Sequence, residues 1–294
     1  MIESREPKVD NRYIGWLQTQ GIRLFRLNDT YWRLYNAALI PASPTPHFLT
    51  VPKSGAKSLL QESGAWLLRY TSDPTEIETP WWHIVCDSFD SAKLSSKLRN
   101  QIRHGQRNCS VERIDARWFS EHGYAVYLTA HDRYANATPL AKEKFRNNVL
   151  AGIGGPFEYW GVFVGTSLAA YCQCTVEENN VDTTATRFDP NYLKLHISHA
   201  MISTLIDHYV MRGGKALSNG ERSVSHDTNF QDFLLKFGFR KIFCRLNIIY
   251  RPWLQSAIQL AFPFRRVATR FPDRAFLHKL RALLLQEQIR RLCG

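Results

Sequence analysis

The 294-residue sequence is as informative in what it lacks as in what it holds. No uninterrupted apolar run approaches the roughly 18 residues that a spanning helix needs. The first segment, Met1 to Arg12, is charged and has no apolar centre, so it does not read as a secretory signal. A soluble, cytoplasmic chain is the expectation. Cysteines at 86, 109, 172, 174, 244 and 293 include no CxxC pair and no Cys/His ladder, which favours reduced, packed thiols over a zinc site. Cys172 and Cys174 sit two apart in a strand-like run and would share one face of a sheet, but no second pair completes a metal site. No internal repeat or low-complexity stretch stands out. Acid is scarce where base is dense: after Tyr250, nine Arg and Lys side chains from Arg251 to Arg291 are met only by Asp273 and Glu287.

What is present is an ordinary globular composition, 44% hydrophobic and 22% charged, with length for one large domain or two modest ones. The net charge of +12 concentrates in that tail and in Lys93, Lys97, Arg99, Arg103 and Arg107. Such a balance attracts nucleic acid, anionic lipid or a phosphate-bearing cofactor or substrate, with a merely solvated basic surface as the alternative.

Pro41 to Pro46 reads as a rigid loop, because its prolines cannot sit inside a sheet. Strand-like runs surround it at Tyr31–Leu39, His47–Val51, Trp66–Thr71 and Trp82–Asp87, with a short helix at Gly55–Gln61. In the basic segment Ser91–Arg107, Leu94, Leu98 and Ile102 recur every four residues and give a helix one apolar stripe, with Gly105 near its end as a breaker. From Asn108 the pattern predicts a strand at Ser110–Ile114 and helices at Ala116–Tyr134 and Pro139–Leu150. A hairpin follows (Tyr159–Val164, Leu168–Val176), then a strand at Asp182–Phe188 and a long helix at Tyr192–Met211. The remainder is a strand at Lys215–Ser218, a helix at Asp227–Lys236 and a strand at Arg240–Tyr250. This mixture argues for an α/β sheet with helices on both faces.

The same element order resembles that of the GNAT acyltransferases. The run Phe233-Leu-Leu-Lys-Phe-Gly-Phe-Arg-Lys241 looks like their closing motif, and Leu94-Ser-Ser-Lys-Leu-Arg-Asn-Gln-Ile-Arg103 is similar to the entrance helix of the FemAB-like branch. The resemblance covers Ser91 to Tyr250. It implies a GNAT-like mixed central sheet over 108–252; the residue pattern itself gives an N-terminal sheet-containing region ending in a basic helix over 1–107 and a basic amphipathic helical tail over 253–294. The resemblance also implies transfer of an acyl group from a thioester, acyl-CoA first, lying in a gap where strands Asp182–Phe188 and Lys215–Ser218 splay apart. The chain departs from the family at the pyrophosphate loop, where Tyr192-Leu-Lys-Leu-His-Ile-Ser-His199 has no glycine. FemAB-like members lack that loop too, and some take aminoacyl-tRNA as donor, so tRNA is the alternative donor.

Transfer to an amine or hydroxyl needs a base and an acid. The densest set of candidates is Ser218–Asp227, where His226 has the range for general-base work and Glu221 serves if partly buried. His226 or Asp227 as a helix cap, and Glu221 with Arg222 as a surface pair, are the structural alternatives. Tyr250 is a leaving-group acid by position. Asn219, Lys194, Ser198 and Thr186 are candidates for holding the donor, and Arg99, Arg103, Tyr171 and Trp160 for the acceptor. His196 and His199 share a helix face without a third ligand, so no metal is expected. The tail carries Trp253 to Phe264 followed by Arg265-Arg266, the composition of an interfacial membrane helix, with packing on the domain's own core as the alternative. The acceptor expected is anionic or membrane-linked, a lipid-linked sugar or lipid precursor, and the rival reading is a non-catalytic polyanion or membrane-binding module.

Overall fold

The computed structural model describes residues 11–43, 47–131, 138–223, 229–265 and 275–293. Helix α1 (Asn11–Thr19) precedes three antiparallel strands, β1 (Leu24–Leu27), β2 (Thr30–Tyr35) and β3 (Ala38–Pro41). The single strand expected over Tyr31–Leu39 is two, because Asn36 and Ala37 both take positive φ (48° and 64°) and turn the chain. Helix α2 (Lys53–Ser63) leads into β4 (Leu67–Thr75) and β5 (Trp82–Cys86). His47–Val51 is not a strand; only Phe48 bridges Thr71.

Helix α3 (Ser96–Asn108) starts at Ser95, whose side chain accepts a hydrogen bond from the Leu98 amide. Of the expected stripe, Leu98 and Ile102 lie on this helix and Leu94 precedes it, after a 3₁₀ turn (Ser91–Lys93); all three are buried, each side chain adding about 2 kcal/mol of apolar burial. Gly105 does not break the helix. A Cβ there would come within 2.5 Å of the His196 carbonyl oxygen, so the glycine lets a second helix pack against α3. After β6 (Ser110–Ile114), the helix expected over Ala116–Tyr134 is interrupted at Gly123 into α4 (Ala116–His122) and α5 (Tyr124–His131). Helix α6 (Lys142–Leu150) begins after Pro139 rather than at it.

The hairpin β7 (Phe157–Val164) and β8 (Ser167–Val176) turns at Gly165 (φ 59°), and β9 (Asn180–Phe188) follows. The long helix expected from Tyr192 is broken at its start. Pro190–Leu195 forms a 3₁₀ segment, His196 turns left-handed (φ 56°), and α7 (Ile197–Leu205) begins only then, ending in a π-helical turn, Ile206–Arg212. Then come β10 (Ala216–Glu221), α8 (Phe230–Leu235), β11 (Arg240–Tyr250), α9 (Pro252–Ala261) and α10 (Ala275–Leu292).

All eleven strands form one mixed sheet, in the order β1-β2-β3-β4-β11-β5-β10-β9-β8-β7-β6. Helices cover both faces. Leu98 and Ile102 of α3 and Ile197, Met201 and Leu205 of α7 bury one face over Val162, Cys172, Cys174, Val181 and Leu217. Phe119, Val126, Phe145 and Val149 cover the other face at Tyr159 and Tyr171. The alternation Tyr159/Trp160 and Tyr171/Cys172 between the two clusters is the period-2 pattern of the strands. Strand β5 lies between β11 and β10, so strands from either side of residue 107 share the sheet. No described helix is long and apolar enough to cross a membrane.

Candidate active site

Strands β9 and β10 run parallel for three pairs only: Asn180 with Ala216, Val181 with Leu217, and Asp182 with Ser218. Both strands continue beyond that point, to Phe188 and Glu221, without pairing to each other. The cause is a register shift in each. On β9, Gln173 of β8 pairs with Ala185 and Thr175 with Asp182, so Thr183 and Thr184 together oppose Cys174. On β10, Ser218 pairs with Val85 of β5 and Glu221 with His83, so Asn219 and Gly220 together oppose Ile84. Such bulges bend and twist a strand away from its neighbour, and Gly220 adopts the positive φ (67°) they favour. The expected splay between these two strands is therefore present. Its apex is closed by side chains. Thr183 Oγ1 donates to the Ser218 carbonyl (3.0 Å), and Asn219 Nδ2 donates to Thr183 Oγ1 (2.7 Å).

Asp182 sits at that apex, buried. Its Oδ2 lies 3.3 Å from Thr184 Oγ1, while Oδ1 has no hydrogen-bond partner. Burial pushes its pKa up to about 7; the Thr184 hydroxyl and the nearby Ser218 hydroxyl and Gly220 amide only partly oppose this, and Glu177 adds to it. A carboxyl of that kind exchanges a proton near neutrality, as a general base must.

On the far side of Gly220 a cavity of about 190 Å³ opens, lined by Arg33 of β2, Ile40 and Pro41 of β3, Ser43, His47, Arg69 and Thr71 of β4, His83 of β5, and Gly220 and Glu221 of β10. Glu221 is held there: Trp81 Nε1 donates to Thr71 Oγ1 (3.0 Å), and Thr71 Oγ1 donates to Glu221 Oε1 (2.9 Å). His83 is buried with neither ring nitrogen bonded, and burial lowers its pKa, with Glu221 pulling the other way. His47 is likewise driven neutral, down to about 4, by burial and by His83. Arg33 and Arg69 belong to no ion pair among the described residues, and Arg33 Nε is buried without a hydrogen-bond partner. Arg69 Nη1 donates to Gln286 of α10 (3.1 Å). Two guanidinium groups without an ion-pair partner among the described residues, beside a single held carboxylate, leave this cavity able to take an anion.

The other residues singled out in the sequence are dispersed. His226 lies outside the described residues. Tyr250 donates to Glu287 Oε2 (2.9 Å) under α10, and its pKa is raised by burial and by Glu287, so it is committed to a structural bond. Trp160 and Tyr171 are core residues: Trp160 Nε1 donates to Tyr209 Oη (2.8 Å), and Tyr171 packs on Phe119 (4.7 Å between ring centres). Thr186 faces Cys172 Sγ (3.3 Å) within the sheet. Arg99 spends its guanidinium on the Leu94 carbonyl and on Ser96 Oγ at the start of α3, whereas Arg103 stays exposed, bonded to Asn100 (3.1 Å). Lys194 is exposed and Ser198 half-buried beside His199. The cysteines are free thiols, with Cys172 and Cys174 buried together, and no group of three metal ligands occurs among the described residues.

Asp182, His83, Arg33 and Arg69 went unread in the sequence. Their signal was a lone charged or imidazole side chain inside an apolar, β-branched or aromatic run, as in Val181-Asp182-Thr183 and Trp82-His83-Ile84. A strand normally keeps such a residue only on its wet face.

The sequence matches no family model, and no curated protein matches it. Solved structures do. The C-terminal DUF2156 domain of an Agrobacterium fabrum protein assigned as a lysylphosphatidylglycerol synthetase superposes with a TM-score of 0.59 at 10% identity, over 85% of this chain and 90% of that one. FemX does so with a TM-score of 0.57 at 10% identity, over 88% and 95%. A tandem GNAT protein from the clavulanic acid biosynthesis pathway gives 0.50 at 11% identity, over 85% and 90%. The fold is GNAT-like. Strands β9 and β10 are the pair that parts, and α7 is the helix that follows β9.

Proposed function

We propose that the chain transfers an acyl or aminoacyl group from an activated ester to an amine or hydroxyl in the gap between β9 and β10, beyond their closed apex. Asp182 is the observation that carries this reading: a buried carboxyl with one unbonded oxygen, poised to titrate near neutrality where the strands part. It would take the proton from the attacking nucleophile as the new acyl bond forms and return it to the departing sulfur or ribose oxygen as the donor bond breaks. Main-chain N–H groups of β9 beyond Thr183, turned toward the gap, would hold the donor carbonyl as its oxygen gains charge. The acceptor would enter through the cavity, an anionic group lying against Arg33 and Arg69, with Glu221 as a second proton acceptor. Lipid-linked sugars and lipid precursors belong to that acceptor class. His226 remains a rival base.

One observation favours aminoacyl-tRNA over acyl-CoA as the donor. Residues 189–196 contain no glycine, and the His196 carbonyl at the start of α7 is covered by Gly105 of α3. That is the place where a CoA pyrophosphate would meet helix N–H groups. Meanwhile α3 turns Lys97, Arg103 and Arg107 to solvent, a row suited to a phosphate backbone.

The test is turnover with each donor. Release of deacylated tRNA that weakens steeply with salt, with no CoA release, is the expected result. In Asp182→Asn, kcat falls about 100-fold with the fold intact. Undiminished turnover in that variant overturns the assignment of the base. Absence of turnover with either donor class overturns the transferase reading.

A further inference from the structure

Helix α9 has no charged residue from Pro252 to Ala261. One side is accounted for: Leu254 and Ile258, a turn apart, are buried with Leu246 and Ile248 of β11. The opposite side of such a helix normally carries charge. Here the exposed side carries Trp253, 53% exposed, and Leu260, 76% exposed, beside the uncharged Gln255, Ser256 and Gln259. These are seven residues apart, hence two turns along one face, roughly 10 Å. Phe264, 68% exposed, prolongs the stripe.

The apolar surface extends past the helix. Trp66, 52% exposed, meets Trp253 edge to face at 5.4 Å between ring centres. Its backbone is fixed there, the Arg251 amide donating to the Trp66 carbonyl (2.9 Å) and the Trp66 amide to the Ala37 carbonyl (2.8 Å). The second bond brings the β2–β3 turn, with exposed Tyr35, to the same edge. The surrounding charge is mainly positive. Arg33 lies 5.6 Å from the Tyr35 ring, and Arg265 and Arg291 stand over Phe262 at 4.4 and 3.8 Å. On α2, exposed Glu62 is accompanied by Lys53 and Lys57.

We propose that this face docks the protein onto the surface of an anionic lipid bilayer, with α9 lying in the membrane plane. Trp and Tyr combine an apolar body with a polar tip and settle at headgroup level. Leu260 and Phe264 reach the acyl boundary, and arginines at the rim meet anionic headgroups. A second copy of the chain is a poorer occupant, since a two-fold contact would set the arginines of one rim against those of the other. Helix α9 contributes nothing to the cavity lining, and Arg33 is the one residue common to the cavity and this rim.

The experiment is co-sedimentation of the full chain with vesicles of phosphatidylcholine alone or containing ~30% phosphatidylglycerol, an anionic content that sets a negative surface potential. Binding should be at least ~10-fold stronger to the anionic vesicles, and Trp253→Ser/Leu260→Ser should lose at least ~10-fold of it, two interfacial anchors being removed, while melting as wild type. Brominated lipid should quench tryptophan emission in the wild type and less in Trp253→Phe. No affinity for anionic vesicles, or equal binding by the double variant, overturns the proposal. So does a concentration-dependent dimer that the double variant abolishes, which would assign the face to a second copy.

Discussion

Two buried carboxylates, Asp182 under the β9–β10 apex and Glu287 under β11, have been given opposite surroundings by the same chain. Glu287 accepts from Tyr250 Oη (2.9 Å), from Arg290 Nε and Nη2 (both 2.8 Å) and from Arg291 Nε (2.7 Å). Burial alone would raise its pKa, but these bonds outweigh it and pull the value down to about 2. Asp182 has no cation in contact among the described residues, and one oxygen is left unbonded. The fold can therefore satisfy a buried acid, and does so where Glu287 pins α10 to β11. At the apex it leaves one unsatisfied, which costs stability and is retained where a site needs a titratable group.

The contrast breaks most sharply at Glu287. Replacing both arginines (Arg290→Met/Arg291→Met) strands a buried charge and should remove about 3–5 kcal/mol of stability at pH 7 in urea unfolding. The sign follows from the lowered pKa. Stabilisation by Glu287 is present above the ordinary value of 4.5 and lost as pH falls toward 2, so wild type and variant should converge in acid. Equal differences at pH 7 and pH 3 would disprove it.

Asp182 should behave in the opposite sense. With its pKa raised from 3.8 to about 7, the folded state keeps a proton that the unfolded chain has released, so stability should decline as pH rises across that interval. Asp182→Asn should flatten the decline, gaining stability at pH 8 while kcat drops about 100-fold. A variant that loses turnover but keeps the wild-type pH slope would place the unsatisfied acid elsewhere.

Gly105→Ala sharpens the comparison as a loss with no titrating group behind it. The added methyl meets a backbone carbonyl at 2.5 Å and Ala200 Cβ at 3.1 Å, which should cost about 1–3 kcal/mol, the same at pH 5 and pH 8. The smallest effect is expected for Thr71→Val. Removing the hydroxyl between Trp81 and Glu221 should cost about 1 kcal/mol and less than tenfold in turnover, a difference visible by calorimetry.

Periodicity and turn chemistry made much of the fold legible. Leu94, Leu98 and Ile102 announced α3; Gly165 marked the β7–β8 turn; and β11 begins and ends at Arg240 and Tyr250 as its apolar run suggested. The failures share a cause, that local pattern does not report distant pairing. Gly105 looks like a helix breaker until His196 is known to lie against it. Asp182 and His83 look like wet-face residues until both sheet faces are covered. Trp160, Tyr171 and Tyr250 have the chemistry of a site and the environment of a core or an anchor. Of the candidates in the Ser218–Asp227 stretch, Glu221 reaches the cavity because Gly220 bends β10 toward it, a consequence of backbone conformation rather than of side-chain type.

The position of β5 bears on how the chain comes to be folded as it leaves the ribosome. Leu67 of β4 pairs with Tyr250, and Trp82 of β5 with Phe243, so both strands emerge early and must wait, edges unsatisfied, for β11 to be translated. Pairings of such long reach form slowly and leave hydrogen-bonding edges open to other chains in the meantime. Neither half of the sheet can close by itself. A nascent chain halted before Arg240 should be a substrate for chaperones rather than a folding intermediate with a finished core.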